Sequence, residues 1–126
     1  MQLLVGTDSV HATAAICDYL ENRLTDIDDV RVVATAESGD GTAERDGKEA
    51  LNVAPVRLAA AGSVETEFRE GEAVSELLEA AAAVDADEIV VGASGADSAV
   101  AVGSTTRTLL ERASRPVVVV PVPSLE

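Results

Sequence analysis

The sequence predicts an α/β fold: a doubly wound, five-stranded parallel sheet with helices on both faces. Three observations carry that reading. Five short apolar runs, most of them rich in β-branched residues, are separated by stretches of helical period, the alternation that builds βαβ units. Two of the runs end directly on glycine, at Gly6 and Gly92, as strands do where the chain turns tightly into a loop. The 126 residues are 47% apolar, which suits one domain (residues 1–126) with a core that needs no disulfide or metal.

The elements follow in chain order. Leu3-Leu4-Val5, ending at Gly6, reads as a buried strand. Ala12, Ile16, Leu20 and Leu24 recur every four residues, with Asp18, Glu21 and Arg23 off the stripe, so an amphipathic helix follows. Asp26-Ile27-Asp28-Asp29 breaks it, and Val30 to Thr35 is a second strand. After the loop Ser38 to Thr42, a second helix is expected over about Ala43–Ala61, terminated by Gly62. Pro55 would kink or break that helix by removing a hydrogen bond and crowding the Leu51 carbonyl. Val64 to Phe68 alternates with Glu65 and Glu67, the pattern of a half-exposed edge strand. Val74, Leu77, Leu78 and Ala81 mark a third helix over about Glu72–Val84. Glu88 to Val91 is a buried strand, a fourth helix starts near Ser104, and Val117 to Val120 is the last strand, bracketed by Pro116 and Pro121.

Charge limits the partners. The formal net charge is −14, and no Lys/Arg cluster offsets it, so nucleic acid and anionic membrane are excluded as expected partners. Lys48 is the only lysine among nine basic residues. An acid-rich, lysine-poor surface suits molar salt, where the Debye length is about 3 Å and self-repulsion is screened. No apolar run approaches the length of a membrane span, and Met1 to Asp8 lacks the basic start of a signal peptide. Cys17 is the only cysteine, which fits a reducing cytoplasm, and beside the apolar stripe it reads as a small buried hydrophobe.

Several chemistries are excluded. The only lysine sits in Gly47-Lys48-Glu49, so no P-loop exists, and no dinucleotide fingerprint follows the first strand. A phospho-acceptor receiver would need an acidic pair after the first strand and a lysine after the last. Gly92-Ala93-Ser94-Gly95 misses the hydrolase elbow by one position. One histidine and one cysteine cannot build a zinc site, and His11 reads as an exposed or capping residue. No catalytic residue is expected.

What remains is Val90 to Gly95, then Gly103-Ser104-Thr105-Thr106-Arg107. Glycines after a buried strand bring bare N–H groups close to a ligand. The fourth helix then starts with its unpaired amides and positive dipole end facing the same space. Hydroxyls on Ser104, Thr105 and Thr106 add donors, and Arg107 adds a full positive charge. The plainer alternative is that Gly92 and Gly95 only turn the chain while Ser104 only caps the helix. Asp8 has two roles open as well: accepting a ribose hydroxyl, or capping the first helix with Ser9. Glu111 is expected to pair with Arg107 and Arg115 at four-residue spacing.

In combination these motifs resemble the universal stress protein family over essentially the whole chain. The similarity rests on Gly6-Thr7-Asp8 after the first strand, on Asp85 to Gly92, on the glycine motif ending in Gly103-Ser104, and on Arg115-Pro116-Val117-Val118-Val119-Val120. The resemblance implies a homodimeric stress-response or signalling module that pairs through its last strand and binds an adenine nucleotide (ATP, ADP or AMP), with Mg2+ as a companion ion. It implies Thr7, Asp8 and Thr35 beside the adenosine, and Gly92, Gly95, Gly103, Ser104 and Thr105 around the phosphates; Arg107, where the family often has an acid, is expected to add its charge to the same site. Slow ATP hydrolysis is the most activity expected. The family spaces its second and third motif glycines by nine residues; here seven lie between Gly95 and Gly103, Asp97 among them. That shorter loop favours a mono- or diphosphate over a triphosphate. It leaves open a nucleotide-free interaction module with a purely structural glycine loop.

Overall fold

The structure is a computed structural model, and it describes residues 1–93 and 103–123. The elements run β1 (Gln2–Thr7), α1 (Val10–Leu20), β2 (Asp29–Ala36), α2 (Gly41–Arg57), β3 (Ser63–Glu70), α3 (Ala73–Ala83), β4 (Glu88–Gly92), α4 (Ser104–Arg112) and β5 (Val117–Val120). The strands form one parallel sheet in the order β3-β2-β1-β4-β5. Its register sets Leu4 beside Arg31 and Ile89, and Gly6 beside Val33 and Val91.

Period-two alternation along the strands divides the core in two. Leu3, Val5, Val30 and Val32 face α1 and α2, where Ile16, Leu20, Leu51 and Leu58 cover them. Leu4, Val33, Ile89 and Val91 face the opposite way, under Val74, Leu77, Ala81 and Leu109 of α3 and α4. Full burial of a Leu or Ile is worth about 1.5–3 kcal/mol, so the two layers together hold the sheet. Cys17 lies buried in the first layer, and that burial pushes its thiol up to about 11. No described helix is long and apolar enough to cross a membrane.

Four expectations need correction. Leu24 lies beyond α1, because the chain turns where Arg23 N–H donates to the Leu20 carbonyl. Pro55 does not break α2: it sits exposed in the last turn, and the helix runs on to Arg57. So near the end, the missing N–H interrupts only the bond to Leu51, and Leu58 N–H still donates to Ala54 at 2.9 Å. Gly62 therefore does not terminate α2. It lies in the following turn, where its N–H donates to the Asp28 carbonyl at 2.7 Å and a Cβ would stand 2.3 Å from the Asp26 carbonyl oxygen. Close approach is what requires glycine there. Finally, Glu111 makes no ion pair among the described residues. Arg115 reaches instead to the Ala86 carbonyl at 2.7 Å and Asp85 at 3.2 Å, because it follows α4 and meets the β4 entry.

Candidate functional site

The strand order reverses between β1 and β4. From β1 the chain steps outward through β2 to β3, then α3 carries it back to β4 on the other side. The loops that leave two neighbouring strands in opposite directions leave a crevice at their carboxyl ends. Here that crevice is a cleft of about 250 Å³.

Each wall has a local cause. β1 delivers Gly6, Thr7 and Asp8. Ser9, in extended backbone, caps α1, its Oγ accepting the Ala12 amide at 3.1 Å. The cap role thus falls to Ser9 alone, and Asp8 stands exposed at the cleft. β2 contributes Thr35, and α3 contributes Ala73 and Leu77. Gly6 lets α3 in: a Cβ there would meet both Leu77 methyls at 2.9 Å. β4 ends in Gly92, whose carbonyl accepts the buried Thr106 hydroxyl at 3.3 Å, which draws the first turn of α4 onto the strand end.

The start of α4 differs from the expected cap. Gly103 is the N-cap residue, in extended backbone with φ −61° and ψ 157°, and among the described residues no side chain caps the first amides. Ser104 is therefore the first helical residue, and its exposed hydroxyl and that of Thr105 border the cleft. A helix start that no described side chain caps, with two hydroxyls beside it, is of the kind that suits an anion.

Of the residues singled out in the sequence, Thr7, Asp8, Thr35, Gly92, Gly103, Ser104 and Thr105 all line this cleft. Gly95 and Asp97 lie outside the described residues. Arg107 is not among the described lining residues, and it shares the exposed outer face of α4 with Leu110 and Glu111. Thr106 and Leu109 pack inward, so the helical period turns Arg107 away from the sheet. Sequence reasoning passed over Ala73 and Leu77, which line the cleft, and Thr13, buried behind it with its hydroxyl 2.7 Å from that of Thr7. A usable signal existed for Thr13, a hydroxyl four residues after Ser9 within the buried stripe of Ile16, Cys17 and Leu20.

The cleft is polarised. Its only described carboxylate, Asp8, lies at the β1 end with the Thr7 and Thr35 hydroxyls nearby, and the first amides of α4 with the Ser104 and Thr105 hydroxyls lie at the other end. A second hollow of about 380 Å³ adjoins it through Thr35, Ala73, Ser104 and Thr105, and carries Glu37 and Glu72. Among the described residues no cluster of three or more His, Cys, Asp or Glu could hold a metal by itself.

Comparison with known proteins decides the lineage. The sequence model described as the Universal stress protein family matches residues 2–121. The chain belongs to the universal stress protein family. Solved universal stress protein structures share its fold. The Archaeoglobus fulgidus universal stress protein in complex with dAMP superposes with a TM-score of 0.69 at 20% identity, over 95% of this chain and 97% of that one. Universal stress protein UspA from Lactobacillus plantarum gives 0.72 at 22% identity, over 95% and 97%. An Arabidopsis thaliana universal stress protein family protein with AMP bound gives 0.73 at 14% identity, over 100% and 94%. No curated protein sequence matches this chain significantly.

Proposed function

We propose that this universal stress protein binds an adenine nucleotide in the cleft between β1 and β4 and acts as a cytoplasmic homodimeric stress-response or signalling module. The observation that carries the reading is the polarity of the cleft. The start of α4, which no described side chain caps, is with Ser104 and Thr105 suited to a phosphate, and Thr7, Asp8 and Thr35 are suited to a nucleoside. The complexes of two family members with AMP and dAMP support the same ligand class. Asp8 is a single carboxylate, so Mg2+ would join through the nucleotide's own phosphates, as is usual for that ion.

The test is direct. Purified protein is denatured and its supernatant examined for adenine absorbance, then AMP, ADP and ATP are titrated in molar KCl. Binding is expected, with AMP or ADP at least as tight as ATP; binding by none of the three overturns the reading.

Dimerisation is supported by a contrast between the two sheet edges. β3 carries Glu65, Glu67, Arg69 and Glu70 along its length, the charges that keep an edge unpaired. β5 offers four consecutive valines, three of them only half-buried. Ultracentrifugation in molar KCl is expected to give a dimer, and a monomer at micromolar concentration contradicts it. The acidic surface supports adaptation to high salt. Tm is expected to fall as KCl drops from molar to millimolar, and a flat profile refutes that adaptation.

A further inference from the structure

We infer that the second hollow is a subsite for an amine-bearing group carried on the nucleotide, and that it turns further phosphates away. The inference rests on the nucleotide reading above and extends it beyond the cleft.

The two spaces share a border. Thr35, Ala73, Ser104 and Thr105 line both the cleft and the hollow. A nucleotide bound between Thr35 and the start of α4 therefore has the hollow at its side. At about 380 Å³ against about 250 Å³ the hollow is the roomier of the two, so a substituent on the nucleotide has space to enter it.

Charge decides which substituent. The first turns of α2, α3 and α4 all reach the hollow, through Ala43, Ala73 and Ser104. Two of these helix starts already hold an anion of the protein's own. Asp40 accepts the Ala43 amide at 3.0 Å, and Glu72 accepts the Ser75 amide at 2.8 Å. Their positive dipole ends are answered there and offer little to a second anion. The hollow itself is lined by Glu72 and Glu37, and no described lining residue is basic. Glu72 is engaged twice, in its cap and with Arg112 at 3.9 Å. Glu37 stands exposed just beyond β2, and its carboxylate has no hydrogen bond or ion pair among the described residues. An ionised carboxylate only accepts hydrogen bonds. A phosphate entering the hollow thus meets like charge without a basic partner, whereas an ammonium donates to Glu37. Molar salt shortens the Debye length to about 3 Å, which screens long-range attraction and spares a direct contact of this kind.

The test compares matched pairs of AMP derivatives that differ by one charge. One pair carries the substituent on the phosphate, as the 2-aminoethyl and propyl esters. The other carries it on the base, as N6-(2-aminoethyl)-AMP and N6-propyl-AMP. These, with AMP and ADP, are titrated in molar KCl and EDTA into the native protein, Glu37→Gln and Glu72→Gln. Glutamine at position 72 keeps an oxygen for the Ser75 amide. In at least one pair the native protein is expected to bind the amine about three- to fivefold more tightly than the propyl compound. The pair that responds tells which end of the nucleotide faces the hollow. Its ratio should fall towards one in Glu37→Gln, where ADP should also gain on AMP. Equal binding within both pairs by the native protein, or a ratio that persists in both variants, overturns the inference and leaves the nucleotide reading intact. An ADP-to-AMP ratio unmoved by Glu37→Gln overturns the exclusion of phosphates. Failure of the native protein to bind AMP overturns both readings.

Discussion

The two ends of the sheet are built from the same five strands and put their polar groups to opposite uses. At the amino end the groups bond to one another. The Met1 ammonium meets Asp28 at 3.0 Å, and Asp28 also accepts the Thr25 amide at 2.9 Å. The Gln2 and Asp87 segments exchange two bonds of 2.7 Å, and Gly62 N–H closes onto the Asp28 carbonyl. At the carboxyl end the positions are small or hydroxylated, among them Gly6, Thr7, Thr35, Ala73, Gly92, Gly103 and Ser104, and they border a cleft. Internal bonding is concentrated where the strands enter and the cleft lies where they leave, so damage at one end should spare what the other does.

The sharpest way to break that separation is at Gly62. In Gly62→Val a Cβ would press on backbone at the Asp26 carbonyl, which cannot yield as a side-chain tip can. The expected loss is about 2–3 kcal/mol in urea unfolding, with AMP affinity unchanged in whatever fraction remains folded. A matching loss of affinity would show that the two ends are coupled. The converse variant is Gly103→Val. A branched side chain at the N-cap position of α4 stands where a phosphate needs bare amides. Affinity should fall about tenfold to a hundredfold, with Tm moving little. Retained affinity would place the phosphates elsewhere.

The smallest effect concerns pH. The Thr25 amide, joined by the ammonium of Met1, holds the Asp28 carboxyl below its ordinary 3.8. A folded pKa below the unfolded one stabilises the protein above 3.8, and that contribution is lost as pH falls through the folded value. Asp28→Asn should therefore flatten the acid limb of the stability curve and leave neutral-pH nucleotide binding alone. An unaltered acid limb would show that the ammonium and amide contacts at Asp28 do not order the amino end.

The fold was legible because each element announces itself locally. The runs at Leu3 to Val5 and Val117 to Val120 have no other use than a buried or edge strand, and the charges on Glu65 and Glu67 mark β3 as exposed. The strand order was not legible, since nothing local tells β1 to sit between β2 and β4. Pro55 and Gly62 misled for one reason: their effect depends on how far they stand from the helix end, and element boundaries depend on tertiary contacts such as Gly62 with Asp28. Most of the cleft was legible from strand ends and glycines. Arg107 was not, because its side is fixed by the phase of α4, which Thr106 sets by bonding to Gly92. The pairing of Thr13 with Thr7 spans an element boundary and shows only in three dimensions.

The central claim is that the open end of the sheet holds an adenine nucleotide and the closed end does not. Amide chemical-shift mapping of the isotope-labelled protein with AMP in molar KCl tests it residue by residue. The account predicts perturbations at Thr7, Asp8, Thr35 and Gly103 to Thr106, with Gln2, Asp28, Gly62 and Asp87 unmoved. A spectrum unchanged at saturating AMP, or shifts gathered at the amino end, would contradict it.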